Sequence, residues 1–153
     1  MAVFLLPYDM IGFYKTNIDY ISLHAVDADK RRYIDDSEAP RHFIDIDRYG
    51  ERPFDSIPKQ WSIAVAKFTE DSLKAHGIVP WHINLMLSNL TKAFQEKNDE
   101  KILRLSADIG HYIADAHVPL HTTRNYNGQL TNQKGIHGFW ESRVPELKGE
   151  GYN

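Results

Sequence analysis

A chain of 153 residues with 18 basic and 21 acidic side chains, a formal net charge of −3 and 42% hydrophobic residues is long enough for one hydrophobic core and too short for two. The slight negative charge gives no electrostatic reason for duplex DNA or an anionic membrane to be a preferred surface, so an anionic substrate must be met by local cations. The absence of cysteine excludes disulfides and thiolate metal sites, and leaves histidine and carboxylate as the strong metal ligands.

The opening MAVFLLP carries no basic n-region, its apolar run is too short for a signal core, and no later segment reaches the length of a membrane span, so a soluble chain is expected. Ile11, Phe13, Tyr14, Ile18, Ile21 and Leu23 recur at helical spacing and predict a helix from about Met10 to His24. From Val26 to Pro58 no period is sustained, which predicts a long irregular segment with short turns of helix at most; such segments are often functional. A second helix is expected over 58–76, with Trp61, Ile63, Ala64, Ala66, Phe68 and Leu73 apolar and Gly77 as its stop. A third starts near Pro80, turns Ile83, Leu85, Met86, Leu90 and Phe94 to the core, and ends around Lys97.

With Asp99 as cap, a fourth helix carries Ile102, Leu103, Leu105, Ile109, Tyr112, Ile113 and Ala116, apolar over more than half its circumference and therefore central. Pro119 ends or kinks it, a Gly/Asn/Thr/Gln-rich loop spans 122–135, and a short last helix covers His137 to Arg143 before Pro145. No run alternates as a half-buried strand does, so the expected fold is an all-α multi-helix bundle in one domain over 1–153.

The stretch HYIADAHVPLH, residues 111–121, concentrates three histidines and an aspartate. Histidine is costly to bury and aspartate is a poor helix-interior residue, so the density points to chemistry. His111 and Asp115 stand four apart on the central helix and share a face, His121 follows the proline turn, and His137 and Glu141 repeat the four-residue interval on another helix. One such pair alone is ordinarily a surface ion pair; two pairs with a histidine between them resemble the way helical bundles build metal sites. In DADKRRYIDDSEAPRHFIDID, His42 follows a proline-containing turn among apolar neighbours, and Asp27 and Asp29 lie close to a basic run, where loop solubility or helix capping is the ordinary role of an aspartate.

Taken in order, Asp27, His42, H-x-x-x-D at His111 and Asp115, the ending DAHVPLH at His121, and H-x-x-x-E at His137 and Glu141 resemble the zinc-dependent phosphodiesterase superfamily, which joins bacterial phospholipases C with single-strand-specific nucleases of fungi and plants. The resemblance runs from about Asp27 to Glu141. It implies one zinc held by Asp27, His42, His111 and Asp115 and a second held by His121, His137 and Glu141; Asp29 is the alternative to Asp27, which the register of DADK favours. It also implies hydrolysis of a phosphate diester by metal-activated water, with Asp27 and Asp115 close to the reacting centre, and an exported protein, secreted or periplasmic.

The family's third zinc uses an N-terminal tryptophan and a histidine soon after it. This chain has no tryptophan before Trp61 and no histidine before His24, so that site is expected to be absent or weak, or to be completed by residues beyond this sequence; the domain is then incomplete at its termini. Val118 stands where many members have glutamine. His24, His117, His76, His82, Trp61 and Trp81 are read as structural or surface residues. The expected substrate is a single-stranded nucleic acid, with Phe43, Tyr49, Tyr126, Phe139 and Trp140 as candidate stacking faces; a phospholipid head group is the alternative, and a non-catalytic zinc-binding helical domain is a second alternative.

Overall fold

The computed structural model describes residues 2–149 and is helical, with no strand among the described residues. The all-α packing expected from the periodicity is what forms, with several boundaries moved by local chemistry. The first helix is two helices, α1 (Tyr8–Thr16) and α2 (Ile18–His24). They divide at Asn17, whose side-chain amide donates to the Phe13 carbonyl at 2.9 Å and competes with the backbone ladder. The irregular segment holds α3 (Asp27–Arg31), 3-10 turns at Ala39–His42 and Ile46–Arg48, and α4 (Pro53–Ser56).

The helix expected over 58–76 is also divided, into α5 (Trp61–Phe68) and α6 (Glu70–Ala75). Thr69 between them has φ +66°, and its hydroxyl oxygen accepts the Ser72 N–H at 3.4 Å with Glu70 and Asp71 in the first turn of α6. That is an N-cap with acidic residues against the positive end of the helix dipole.

α7 (Val79–Gln95) and α8 (Asp99–His117) form the main antiparallel pair. Asn98 rather than Asp99 caps α8, its Oδ1 accepting the Lys101 N–H at 2.9 Å. The inward stripe of α7 runs through Val79, Ile83, Met86, Leu90 and Ala93. Leu85 and Phe94, expected in the core, lie off that stripe and are exposed. On α8 the buried residues Ile102, Leu105, Ile109 and Tyr112 recur at alternating three- and four-residue steps and pack against the α7 stripe. Ile113, expected to join them, is exposed. Beside the apolar stripe runs a polar one, Asp108, His111 and Asp115, facing α3 and the Ala39–His42 turn.

The segment around His42 is pinned by its backbone. Ile78 donates to the Pro40 carbonyl at 2.7 Å, Val79 to Phe43 at 3.2 Å, Asp45 to His76 at 2.8 Å and Ile44 to His121 at 2.9 Å. Gly77 permits this approach: its φ is +84°, and a Cβ there would lie 2.1 Å from the Phe43 carbonyl oxygen.

After a 3-10 turn at Pro119–Thr122 and a polar loop, the chain enters α9 (Ile136–Gly138), a π-helical turn at Phe139–Arg143 and α10 (Val144–Lys148). The helix expected to stop before Pro145 therefore continues. Pro145 sits in the first turn of α10, where its missing N–H matters least, and the widened turn before it absorbs the lost hydrogen bond. Among the described residues no helix is long and apolar enough to cross a membrane.

Candidate metal centre

Two groups of ligand-type side chains converge where α8, the His42 turn, α3 and the C-terminal turns meet. In the first, His42 Nδ1 lies 2.8 Å from Asp115 Oδ2 and 3.2 Å from His111 Nε2. His111 Nε2 lies 3.4 Å from Asp115 Oδ2 and 3.7 Å from Asp29 Oδ2, and Asp29 Oδ1 is 3.8 Å from His42 Nδ1. Ligand distances of 2.0–2.2 Å in a tetrahedral zinc site place neighbouring donors about 3.3–3.6 Å apart. The separations of 2.8–3.8 Å straddle that range, and the nitrogen and oxygen donors and the two negative charges suit a divalent cation.

In the second group, Glu141 reaches two histidines at once, with Oε1 2.9 Å from His121 Nε2 and Oε2 2.9 Å from His137 Nε2. The rings are fixed from behind. His121 Nδ1–H donates to the His42 carbonyl at 2.8 Å and His137 Nδ1–H to the Tyr126 carbonyl at 3.0 Å. His111 Nδ1–H likewise donates to the Ala25 carbonyl at 2.9 Å. In each case the backbone holds the tautomer that leaves the Nε2 lone pair aimed into the cluster, as metal-binding histidines require.

The groups share a wall. His121 accepts Ile44 N–H at its own carbonyl while its ring donates to the His42 carbonyl, and its Nδ1 stands 3.8 Å from Asp115 Oδ1. A cavity of about 560 Å³ lined by Asp29, Arg32, Tyr33, Asp115, His121, His137 and Glu141 opens onto both. A second cavity of about 700 Å³, on the side of His121 and His137 that faces Phe43, Arg48, Arg124 and Tyr126, also includes Arg32.

Behind the first group lies a buried polar network. Glu38 and Asp108 are buried beside Tyr112, the side chain that anchors α8. The Tyr112 hydroxyl donates to Glu38 Oε1, Arg41 Nη1 to Glu38 Oε2 at 2.5 Å, and Arg31 Nη2 to Asp108 Oδ1 at 3.0 Å and to the Tyr112 oxygen at 3.1 Å. Burial alone raises the Glu38 carboxyl pKa, but the Tyr112 hydrogen bond and the two guanidinium groups outweigh it and hold the carboxyl below its usual range. Burial, then the hydrogen bond to Glu38, pushes the Tyr112 phenol well up. Asp115 follows the same logic as Glu38: burial raises it, while its contacts with the His111 and His42 imidazoles more than offset that and hold its carboxyl pKa well below the usual range. The bond to Asp115 in turn raises His111 against the opposing effect of burial.

Of the residues singled out from sequence, His42, His111, Asp115, His121, His137 and Glu141 come together in these groups, and Asp27 does not. Asp27 pairs with Lys30 at 2.7 Å and His24 at 2.5 Å, and those two hydrogen bonds lower its carboxyl pKa. The reason is helical. Residues two apart on α3 differ by about 200° in direction, so Asp27 and Asp29 point apart, and Asp29 is the one within reach of His42 and His111. The ligand and water-orienting roles expected of Asp27 are therefore available to Asp29 instead. His24 is engaged with Asp27 and stacks on Tyr20, and His117 back-bonds to the Ile113 carbonyl. Tyr49 is buried against Phe68 and His76 and offers no stacking face; Tyr126, Phe139 and Trp140 are exposed.

Sequence reasoning did not find Glu38, Asp108 or Arg31. Two signals were available: Glu38 precedes His42 by the same four-residue interval, and Asp108 extends the His111–Asp115 stripe by three residues. Comparison with protein-family models, with curated proteins and with solved structures finds no match for this chain.

Proposed function

We propose that the protein is a zinc-dependent phosphodiester hydrolase, acting by preference on single-stranded nucleic acid. The observation that carries this reading is the pair of convergent donor sets, with histidine tautomers set by backbone carbonyls and one cavity opening onto both. Asp29, His42, His111 and Asp115 would hold one zinc, and His121, His137 and Glu141 a second. Bound there, zinc supplies a water of near-neutral pKa and Lewis-acid stabilisation of phosphoryl oxygens. The chain supplies the rest: Arg32, on the wall of both cavities, meets the anionic phosphate, and Arg48 and Arg124 continue the positive lining. Phe43 and Tyr126 in the larger cavity offer aromatic faces to a base.

A second reading, a phospholipase C, draws on the exposed pair Tyr33 and Ile34, since Tyr33 also lines the smaller cavity and an apolar lip suits a lipid surface. The experiment is elemental mass spectrometry of chelator-washed protein reloaded with zinc, followed by assays on single-stranded DNA, RNA and phosphatidylcholine vesicles. The expected result is about two zinc ions per chain, one for each donor set, with cleavage of single strands. Cleavage of vesicle lipid alone favours the phospholipase, zinc without any hydrolysis favours a binding domain, and no zinc ends the hydrolase reading.

A further inference from the structure

The interior face of His42 carries an arrangement that neither donor set explains. His42 is 2% exposed, and its Nε2 has no hydrogen-bond partner among the described residues. Glu38 Oε1, fully buried, stands 3.5 Å from that nitrogen, close to hydrogen-bonding range. Both Glu38 oxygens are anchored, by Tyr112 and by Arg41, so the carboxylate is held in place rather than turned to water.

His42 thus lies between two carboxylates, Glu38 at Nε2 and Asp115 at Nδ1. A neutral ring can give its proton to one of them only. Nδ1–H directed at Asp115 would leave the Nε2 lone pair against the buried Glu38 charge. Nε2–H directed at Glu38 satisfies that charge and frees the Nδ1 lone pair toward Asp29, His111 and Asp115. His111, His121 and His137 take their orienting acceptor from the backbone on Nδ1 and offer Nε2; His42 is reversed, and its orienting acceptor is a side chain.

We infer that Glu38 is a positioning residue that fixes His42 in its Nε2–H tautomer and so sets Nδ1 as the metal-binding atom. This rests on the reading of the first group as a metal site. Such outer-shell carboxylates raise the basicity of the histidine and orient its ring, and their loss typically costs about 10–100-fold in metal affinity.

The test uses zinc affinity by chelator competition, together with imidazole nitrogen NMR of the zinc-loaded wild-type protein. Glu38→Ala is expected to lose about 10–100-fold in affinity at one of two zincs, and Glu38→Gln, whose amide oxygen can still accept, to lose less. Asp108→Asn removes the charge at the far end of the same network without touching His42 and is expected to keep wild-type affinity. The NMR signature expected is a proton on His42 Nε2 and none on Nδ1. A wild-type protein that binds no zinc overturns the metal reading and this inference with it. A wild type that binds normally while Glu38→Ala and Glu38→Gln bind equally well overturns the inference alone, as does an equal loss in Asp108→Asn. A proton on Nδ1 of zinc-loaded His42 overturns it without any variant, should Glu38→Ala fail to fold.

Discussion

Aspartates two residues apart make the sharpest test of the first donor set. Asp27 is tied to Lys30 and His24, while Asp29 looks toward His42 and His111. Asp29→Asn is expected to weaken zinc binding on the order of 10-fold or more, because a neutral amide replaces an anionic donor. Asp27→Asn is expected to leave affinity within about 3-fold and stability within about 0.5 kcal/mol, the scale of a partly exposed pair. Isothermal titration with zinc decides between them, and the reverse order would return Asp27 to the site. His111→Ala is expected to remove the first zinc's share of the zinc-dependent rise in melting temperature and leave the share of the His121, His137 and Glu141 set; equal loss with and without chelator would mean that its bond to Ala25, rather than metal, is what matters. At this scale the ligand types and their four-residue intervals were legible in the sequence. The choice between Asp27 and Asp29 was not, because it depends on how α3 is rotated against α8, which no short-range pattern encodes.

Among elements, α8 was the most legible, since nineteen residues from Asp99 to His117 carry both a core stripe and a polar stripe. The shorter pieces were less so. Asn17 and Thr69 interrupt runs whose apolar spacing is continuous, through side-chain bonds that periodicity does not register. Thr69 followed by Glu70 and Asp71 was nonetheless a readable cap. The position of the His42 turn depends on Gly77, where two independent demands coincide: a positive φ and the absence of a Cβ against Phe43. Gly77→Ala is expected to destabilise the fold by about 1–3 kcal/mol. Because Phe43 must retreat, it should also weaken zinc binding although residue 77 touches no ligand. Urea unfolding and zinc titration of this one variant check both effects. Lower stability with unchanged affinity would show that the turn yields without carrying His42 along.

For the molecule as a whole, metal and proton linkage act on the same fold and can be separated by pH. Zinc at 100 times its dissociation constant adds about 2.7 kcal/mol to the folded state for each site it fills. In a chain of this size that corresponds to a rise of about 5–10 °C in melting temperature. With chelator present, a different residue governs the mildly acidic range. His82 packs edge-on to Tyr112, and burial, reinforced by nearby Arg41, lowers its pKa from 6.5 to about 4. The folded protein therefore keeps His82 neutral while the unfolded chain binds a proton. This contribution is fully present above pH 6.5, falls as pH drops toward 4, and falls no further below that. Its size, discounted for partial exposure, is about 1–2 kcal/mol. His111 works in the opposite sense: its raised pKa makes metal-free stability fall as pH climbs above 6.5, leaving the range below flat. The depressed carboxyls, Glu38 and Asp115, act only as pH falls below the ordinary carboxylate range. Replacing His82 by Gln should flatten the stability profile between pH 4 and 6.5 in chelator and leave the zinc-dependent increment at neutral pH intact. Urea unfolding at four pH values across that window measures it. A slope that survives in His82→Gln would assign the acid sensitivity to the ligand histidines themselves.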